Sequence, residues 1–273
     1  MAYPPPNHYL TDLGFRLTLG GEESHVLLDV EPALCAPGGP GVLLGVLATA
    51  IDMAAGSLSR RHAAPEWVAT SDIAIELAAP IEPGPARVDC RLARRGRGLV
   101  TLDLDLRAGH AHDAPRRGFA TAAFAVLSNP GREQGGRPLV EADGSESAAA
   151  VPHPPGPRAI LPLHERLGIR VADAAGVVEA ELVDYVRNTF GALQGGVVAV
   201  LAEAAILAAV GRPLEALAVR YRTLGRQGPF RTAVDTSSGG LGTVSRATVR
   251  DDGAGGAVVA VAIGRAARGT EIV

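Results

Sequence analysis

At 273 residues the chain exceeds an average single domain, and 47% apolar with 20% charged residues is the composition of a folded protein and not a disordered one. A formal charge of −3 leaves no electrostatic footprint for nucleic acid, although a local arginine patch could still hold a phosphorylated small molecule. Cys35 and Cys90 are the only cysteines and no signal peptide opens the chain at Met1, so a cytoplasmic protein with free, non-nucleophilic thiols is expected.

In chain order, alternating apolar residues predict strands over about Gly14–Leu19 and His25–Val30. A long apolar helix follows over Leu43–Arg60, then strands over Val68–Leu77, Arg87–Arg94, Leu99–Leu106 and Gly118–Val126. Residues 128–157 are rich in Pro, Gly, Ser and Glu and read as a connection. Beyond it come a strand over Val177–Tyr185, a helix over Gly195–Val210, and strands over Leu217–Arg222, Arg231–Asp235, Gly242–Arg250 and Ala257–Gly264. The apolar run from Phe190 to Val210 has nearly the length of about 20 residues that spans a bilayer. Glu203 inside it, and Gln194 with several glycines at its start, argue against a membrane span.

The two sets of elements are copies. Gly41 to Asp52 matches Ala192 to Glu203 at an offset of 151, with one acid near the middle of each apolar helix. Leu13 to Leu17 echoes Leu167 to Val171 at an offset of 154, and Ile73 to Leu77 echoes Leu217 to Tyr221 at 144. The expected organisation is therefore a domain over 1–130, a linker over 131–156 and a second domain over 157–273. Both central helices are apolar nearly all round, which requires cover on most sides, as a sheet wrapped round one long helix provides. The fold class expected is α+β.

The motif richest in chemistry is Asn188-Thr189-Phe190-Gly191-Ala192-Leu193-Gln194-Gly195-Gly196, with Glu203 seven residues after its last glycine. It resembles the hotdog acyl-CoA thioesterases of the phenylacetic-acid-pathway type, which usually read Asn-x-x-Gly-x-x-His-Gly-Gly followed by an acid at that distance. Asn188, Gly191, Gly195, Gly196 and the acid agree, and Gln194 stands where His is usual. The resemblance implies a double hotdog, two antiparallel sheets each wrapped round a long central helix. It also implies an oxyanion contact from the Gly195 N–H, helped by the Asn188 side chain. A glycine pair at a helix start suits this role, because free N–H groups there favour an oxyanion and no side chain blocks close approach.

Copy one departs from the pattern. The positions matching Asn188, Gln194 and Gly195 are Pro37, Leu43 and Leu44, yet the helix acid survives as Asp52. In hotdog dimers of this type one subunit gives the oxyanion groups, and its partner gives the acid with a hydroxyl on the following strand. Carried onto this chain, the resemblance pairs Asn188, Gln194 and Gly195 with Asp52 and with Thr70, 18 residues further on. The reciprocal set is Pro37, Leu43 and Leu44 with Glu203 and Leu214, which holds no polar oxyanion group and no hydroxyl. One working site per chain is expected. Its acid would be Asp52, with Glu203 as the other candidate carboxylate, acting as general base or as nucleophile.

Arg94, Arg95 and Arg97 at a strand turn could meet the phosphates of coenzyme A, or simply form a solvated hairpin tip. His110-Ala111-His112-Asp113 reads as a surface turn and not as a metal site. The function expected is hydrolysis of an acyl-CoA thioester to a carboxylic acid and coenzyme A, with coenzyme A entering only as part of the substrate and no metal or other cofactor. The alternative is a non-catalytic acyl-CoA binding or sensing protein. A hotdog hydratase would need an acid paired with a histidine at the acyl β-carbon, a pair the sequence does not offer. No nucleic-acid partner is expected, and the sequence leaves the oligomeric state open, with a homodimer of double hotdogs as one assembly.

Overall fold

The computed structural model describes residues 4–127 and 161–266. The expected connection over 131–156, and with it the domain limits at 130 and 157, lies outside those residues. In chain order the elements are α1 (Tyr9–Asp12), β1 (Arg16–Leu19), β2 (Glu23–Val30), α2 (Leu44–Ala63), β3 (Trp67–Leu77), β4 (Gly84–Arg95), β5 (Leu99–Arg107) and β6 (Arg116–Leu127). The second half follows with α3 (Leu163–Arg166), β7 (Arg170–Asp173), β8 (Val177–Ala180), α4 (Gly195–Val210), β9 (Leu214–Tyr221), β10 (Phe230–Gly239), β11 (Gly242–Asp251) and β12 (Ala257–Ala266).

The strands form one antiparallel sheet of twelve, in the order β1-β2-β4-β5-β6-β3-β9-β12-β11-β10-β8-β7. Read from either edge to the centre, the two halves have the same topology, so the sequence repeat is a repeat in space. The expectation of two separate sheets is corrected here. β3 and β9 are the last strands of their halves, and each would otherwise leave a ladder of unpaired backbone groups at an edge. They pair with each other from Asp72↔Arg220 to Glu76↔Ala216, and Ala74 faces Ala218, its own counterpart in the repeat.

Two predicted limits also change. β7 was not foreseen, because Arg170–Asp173 is exposed throughout and shows no alternation. The strand expected over Val177–Tyr185 ends at Ala180, and a single 3-10 turn follows over Asp184–Val186. A matching 3-10 turn over Pro32–Leu34 precedes α2, and the bridges Cys35↔Val42 and Arg187↔Leu193 close the two equivalent loops.

α2 and α4 lie on the inner face of the sheet, and from Gly196 to Ala202 every residue of α4 is buried. No helix of the described residues is long and apolar enough to cross a membrane. The two helices touch where their side chains are smallest. A Cβ added to Gly45 would sit 2.6 Å from the Val200 backbone, and one added to Gly196 would overlap the Thr49 hydroxyl. These are equivalent pairs under the repeat. Gly45→Ala and Gly196→Ala should therefore each lower stability by about 1–3 kcal/mol through overpacking, although alanine has the higher helix propensity. Urea unfolding of the full chain measures this, and a gain in stability at both positions would contradict the packing.

Hydrogen bonds from the N-terminal segment tie the halves further: the Tyr185 hydroxyl donates to Asp12 Oδ2 at 2.7 Å, and His8 Nε2 lies 2.8 Å from Arg187 O.

Candidate active site

A cavity of about 820 Å3 opens between the two halves, beyond the N-terminus of α4. The second half of α2, the start of β3, the end of β6, the loop 188–195 and the end of β9 form its walls. Asp52, Thr70, Asn188, Gln194 and Gly195 all border it. The cross-half grouping expected from the sequence is thus a spatial one.

Local structure explains these placements. Asn188 and Gly191 shape the loop before α4: Asn188 Oδ1 accepts from the N–H groups of Phe190 at 2.9 Å and Ala192 at 3.0 Å. Gly191 takes the left-handed conformation (φ 71°) that this turn requires and that glycine adopts without strain. The Asn188 amide group donates to Leu193 O at 3.4 Å, so this side chain is engaged in building the loop.

Gln194 is the N-cap of α4. Its Oε1 accepts from the N–H groups of Gly196 at 2.5 Å and Val197 at 3.2 Å. Two donors of the helix start are thereby satisfied. Among the described residues no hydrogen bond uses the Gly195 N–H. The same glycine has no side chain to fill the space beside Asp52: an added Cβ would lie 3.5 Å from Asp52 Oδ2 and 3.6 Å from the Tyr221 ring.

Asp52 stands across from this helix start. Its Oδ1 accepts from the Thr70 hydroxyl at 2.6 Å, and Gln194 Nε2 lies 3.5 Å from Oδ2. Thr70 is aimed inward where β3 bulges between Thr70 and Asp72 against β6. The carboxyl borders the cavity but is otherwise surrounded by protein, and that burial pushes its pKa up to about 6, with the Thr70 hydrogen bond pulling the other way.

Glu203 is not brought into this cavity. Its Oε1 accepts from Leu44 N at 2.9 Å and its Oε2 from Gly45 N at 2.7 Å, so it caps the first turn of α2 from the opposite half. Burial is the larger influence on this acid and raises its pKa to about 7, while the two N–H groups act in the opposite sense. Asp52 and Glu203 are equivalent in the repeat, but Glu203 is one methylene longer and closes onto the facing helix start. Asp52 stops short of its own, where Gln194 has already capped two of the N–H groups.

Leu43 and Leu44 fill the reciprocal position and are buried, as is Leu214, the counterpart of Thr70. Leu207, the counterpart of Gly56 in the repeat, is partly buried and packs against the core.

Arg94 and Arg97 are exposed at the hairpin tip, and Arg95 pairs with Glu66 at 3.2 Å and with His62 O at 3.2 Å. None of the three borders the cavity. The arginines that do are Arg60, Arg61 and Arg222. Burial lowers the pKa of Arg60, whose guanidinium lies 4.0 Å over the Trp67 ring. Trp67 meets Phe190 of the other half edge-on, at 5.4 Å between ring centres.

Tyr221 completes the site. Its hydroxyl donates to Gly195 O at 2.9 Å, and burial raises its pKa well above the usual tyrosine value. Sequence reasoning did not single out Tyr221, Trp67 or the three arginines as site residues. The available signals were an aromatic at the end of a strand equivalent to β3 and the lone tryptophan three residues before Thr70.

Among the described residues no group of three or more His, Cys, Asp or Glu side chains is placed to hold a metal ion. His110 lies 3.1 Å from Asp29 and His112 3.7 Å from Asp89, in a turn between β5 and β6. Burial pushes the Cys90 thiol up to about 12, far from a reactive thiolate.

The architecture defines the class. Solved structures similar to this chain over most of its length include a hotdog-fold protein from Alicyclobacillus acidocaldarius, at 13% identity and a TM-score of 0.56, covering 96% of this chain and 99% of the other. A 12:0-ACP thioesterase from Umbellularia californica aligns over 89% of this chain and 93% of its own, at 9% identity and a TM-score of 0.60. An acyl-ACP thioesterase from Bacteroides thetaiotaomicron aligns over 89% and 97%, at 13% identity and a TM-score of 0.56. At these identities the likeness establishes the fold, and the fold is the hotdog. In sequence, residues 42–113 match the profile of the thioesterase superfamily, a stretch that includes Asp52 and Thr70. No curated protein sequence matches the chain.

Proposed function

We propose that the chain is a double hotdog, with domains over 1–130 and 157–273, that hydrolyses acyl-CoA thioesters at one site between them. The carrying observation is a partly desolvated carboxylate, Asp52, held at 2.6 Å by Thr70 and lying beside Gly195, with both residues bordering a largely apolar cavity. A thioester carbonyl placed there would direct its oxygen at the Gly195 N–H, at the positive end of α4. Asp52 would take a proton from water as the water oxygen attacks the carbonyl carbon. The tetrahedral intermediate then collapses, the C–S bond breaks, and Asp52 returns the proton to the departing sulfur. Thr70 and Gln194 position the carboxylate, and Gln194 orders the helix start that presents the N–H.

A carboxyl near pKa 6 suits a base working close to neutral pH. The alternative use of Asp52, as a nucleophile, passes through an anhydride, and where water attacks that anhydride at the Asp52 carbonyl carbon a single turnover in 18O-labelled water leaves label in the protein carboxyl group. The phosphates of coenzyme A are assigned to Arg60, Arg61 and Arg222 at the cavity mouth, in place of the hairpin arginines.

The direct test is thiol release from a panel of acyl-CoA thioesters. Turnover on at least one member supports the reading; binding of the panel without turnover on any would replace it by an acyl-CoA binding or sensing role. The pH dependence is a second expected outcome. Activity needs Asp52 ionised, so kcat/KM should be lost as pH falls through about 6 and level off above it. Thr70→Val removes the bond that holds the pKa down. It should shift the inflection to higher pH and lower kcat/KM about tenfold or more, with Thr70→Ser restoring both. A profile unchanged by Thr70→Val would sever the link between this hydroxyl and the working acid.

A further inference from the structure

Building on the hydrolase reading, we propose that α1 is a clasp from the first half that positions the helix start of the second, with His8 and the Asp12–Tyr185 pair as positioning residues for the Gly195 N–H. A single helical turn is unstable by itself, and α1 is held by what surrounds it: Tyr9 to Asp12 are all buried. What it reaches lies across the repeat. The Leu10 N–H donates to His8 Nδ1 at 3.1 Å, which leaves the ring proton on Nε2, and that atom lies 2.8 Å from Arg187 O. Burial lowers the pKa of His8 and so favours the neutral ring that both bonds need. Two residues before Arg187, the Tyr185 hydroxyl donates to Asp12 Oδ2 at 2.7 Å.

These bonds grip the chain on either side of Val186, and Val186 O accepts from the Gln194 N–H at 2.9 Å. Gln194 caps α4, and Gly195 follows it. A third contact reaches the helix itself. The Thr49 hydroxyl donates to Gly45 O at 2.8 Å, so the Tyr9 hydroxyl is the donor in its 2.7 Å bond to Thr49 Oγ1, the atom on which the first turn of α4 rests at Gly196. An oxyanion donor acts by being in place before charge develops, so a small displacement of residues 185–187 is felt in the rate.

The repeat supplies an internal comparison. α3 is the counterpart of α1, with Pro162 and Leu163 at the positions of His8 and Tyr9, and neither has a side chain that hydrogen-bonds. The turn Pro32–Leu34 before α2 carries no hydroxyl where the turn before α4 carries Tyr185. That half opens its helix with Leu43 and Leu44, and it has no oxyanion group to position.

The test uses the full chain. His8→Asn keeps a cap for Leu10 but is too short to reach Arg187 O, Tyr185→Phe removes only the hydroxyl, and Asp12→Asn keeps an acceptor for that hydroxyl. Thr232→Val is the control for stability alone, because its hydroxyl is buried against Val178 and Gly176, away from the cavity. At saturating thioester, kcat should fall about tenfold in His8→Asn and in Tyr185→Phe with KM within about threefold, while Asp12→Asn should keep kcat within about threefold of wild type. Amide hydrogen exchange should quicken over residues 186–197 in the first two variants and not in α2. Thr232→Val should melt earlier and keep its kcat. A kcat in His8→Asn and Tyr185→Phe no lower than in Thr232→Val would overturn the assignment. If Tyr185→Phe does not fold, His8→Asn decides. Should the wild type release no thiol from any thioester, the hydrolase reading fails, while exchange over residues 186–197 still decides whether α1 holds this segment.

Discussion

Asp52→Asn should lower kcat/KM for thioester hydrolysis by about a thousandfold while leaving the fold and the affinity for a non-hydrolysable thioether nearly unchanged. The substitution keeps the shape of the side chain and its ability to accept from Thr70, so the 2.6 Å bond has a neutral replacement. What is lost is the basic oxygen. Among the described residues Asp52 is the only carboxylate bordering the cavity, and Glu203 lies outside it. Thiol release by purified wild type and variant, with thermal melts as a control for folding, measures the effect. A variant within tenfold of wild type would mean that the proton is taken elsewhere.

Glu203→Ala should have the opposite character, a large loss of stability with the chemistry retained in the folded protein. Both oxygens of Glu203 receive backbone N–H groups of α2, at 2.9 and 2.7 Å, and the side chain is buried. Truncation leaves two buried donors without an acceptor and a void between the helices, for a cost of about 3–5 kcal/mol. The melting temperature should drop by about 10 °C, and kcat below the transition should stay within a few-fold of wild type. Loss of turnover in a protein that melts like wild type would instead place Glu203 in the chemistry.

The contrast between these two acids shows where sequence reasoning was sufficient. The repeat, the long helices and the cross-half grouping of Asp52 and Thr70 with Gln194 and Gly195 were legible, because each rests on spacing, and spacing survives divergence. The join of the halves through β3 and β9 was not, since a strand's sequence does not reveal which edge it meets. Nor could sequence reveal what Glu203 does. Its tie to Leu44 and Gly45 depends on one extra methylene and on the approach of the helices at Gly45 and Gly196, which is a matter of packing. The hairpin arginines Arg94, Arg95 and Arg97 do not border the cavity, whereas Arg60, Arg61 and Arg222 do, on elements that pattern reading treated as helix end and strand end.

Asn188 is an intermediate case. The motif spacing picked it out, and the structure gives its oxygen to the loop that positions Gln194 and Gly195. Its influence on the site is therefore exerted through backbone geometry, a role that motif matching cannot separate from direct contact.

On the proposed function the two halves have divided their tasks, leaving a single thioester site per chain between them. Calorimetric titration of the full chain with a non-hydrolysable S-alkyl coenzyme A thioether tests this most directly. One equivalent should bind per chain, and Gly195→Val, which fills the space beside Asp52, should weaken binding by at least about tenfold. Two equivalents per chain of equal affinity, or binding indifferent to Gly195→Val, would contradict it.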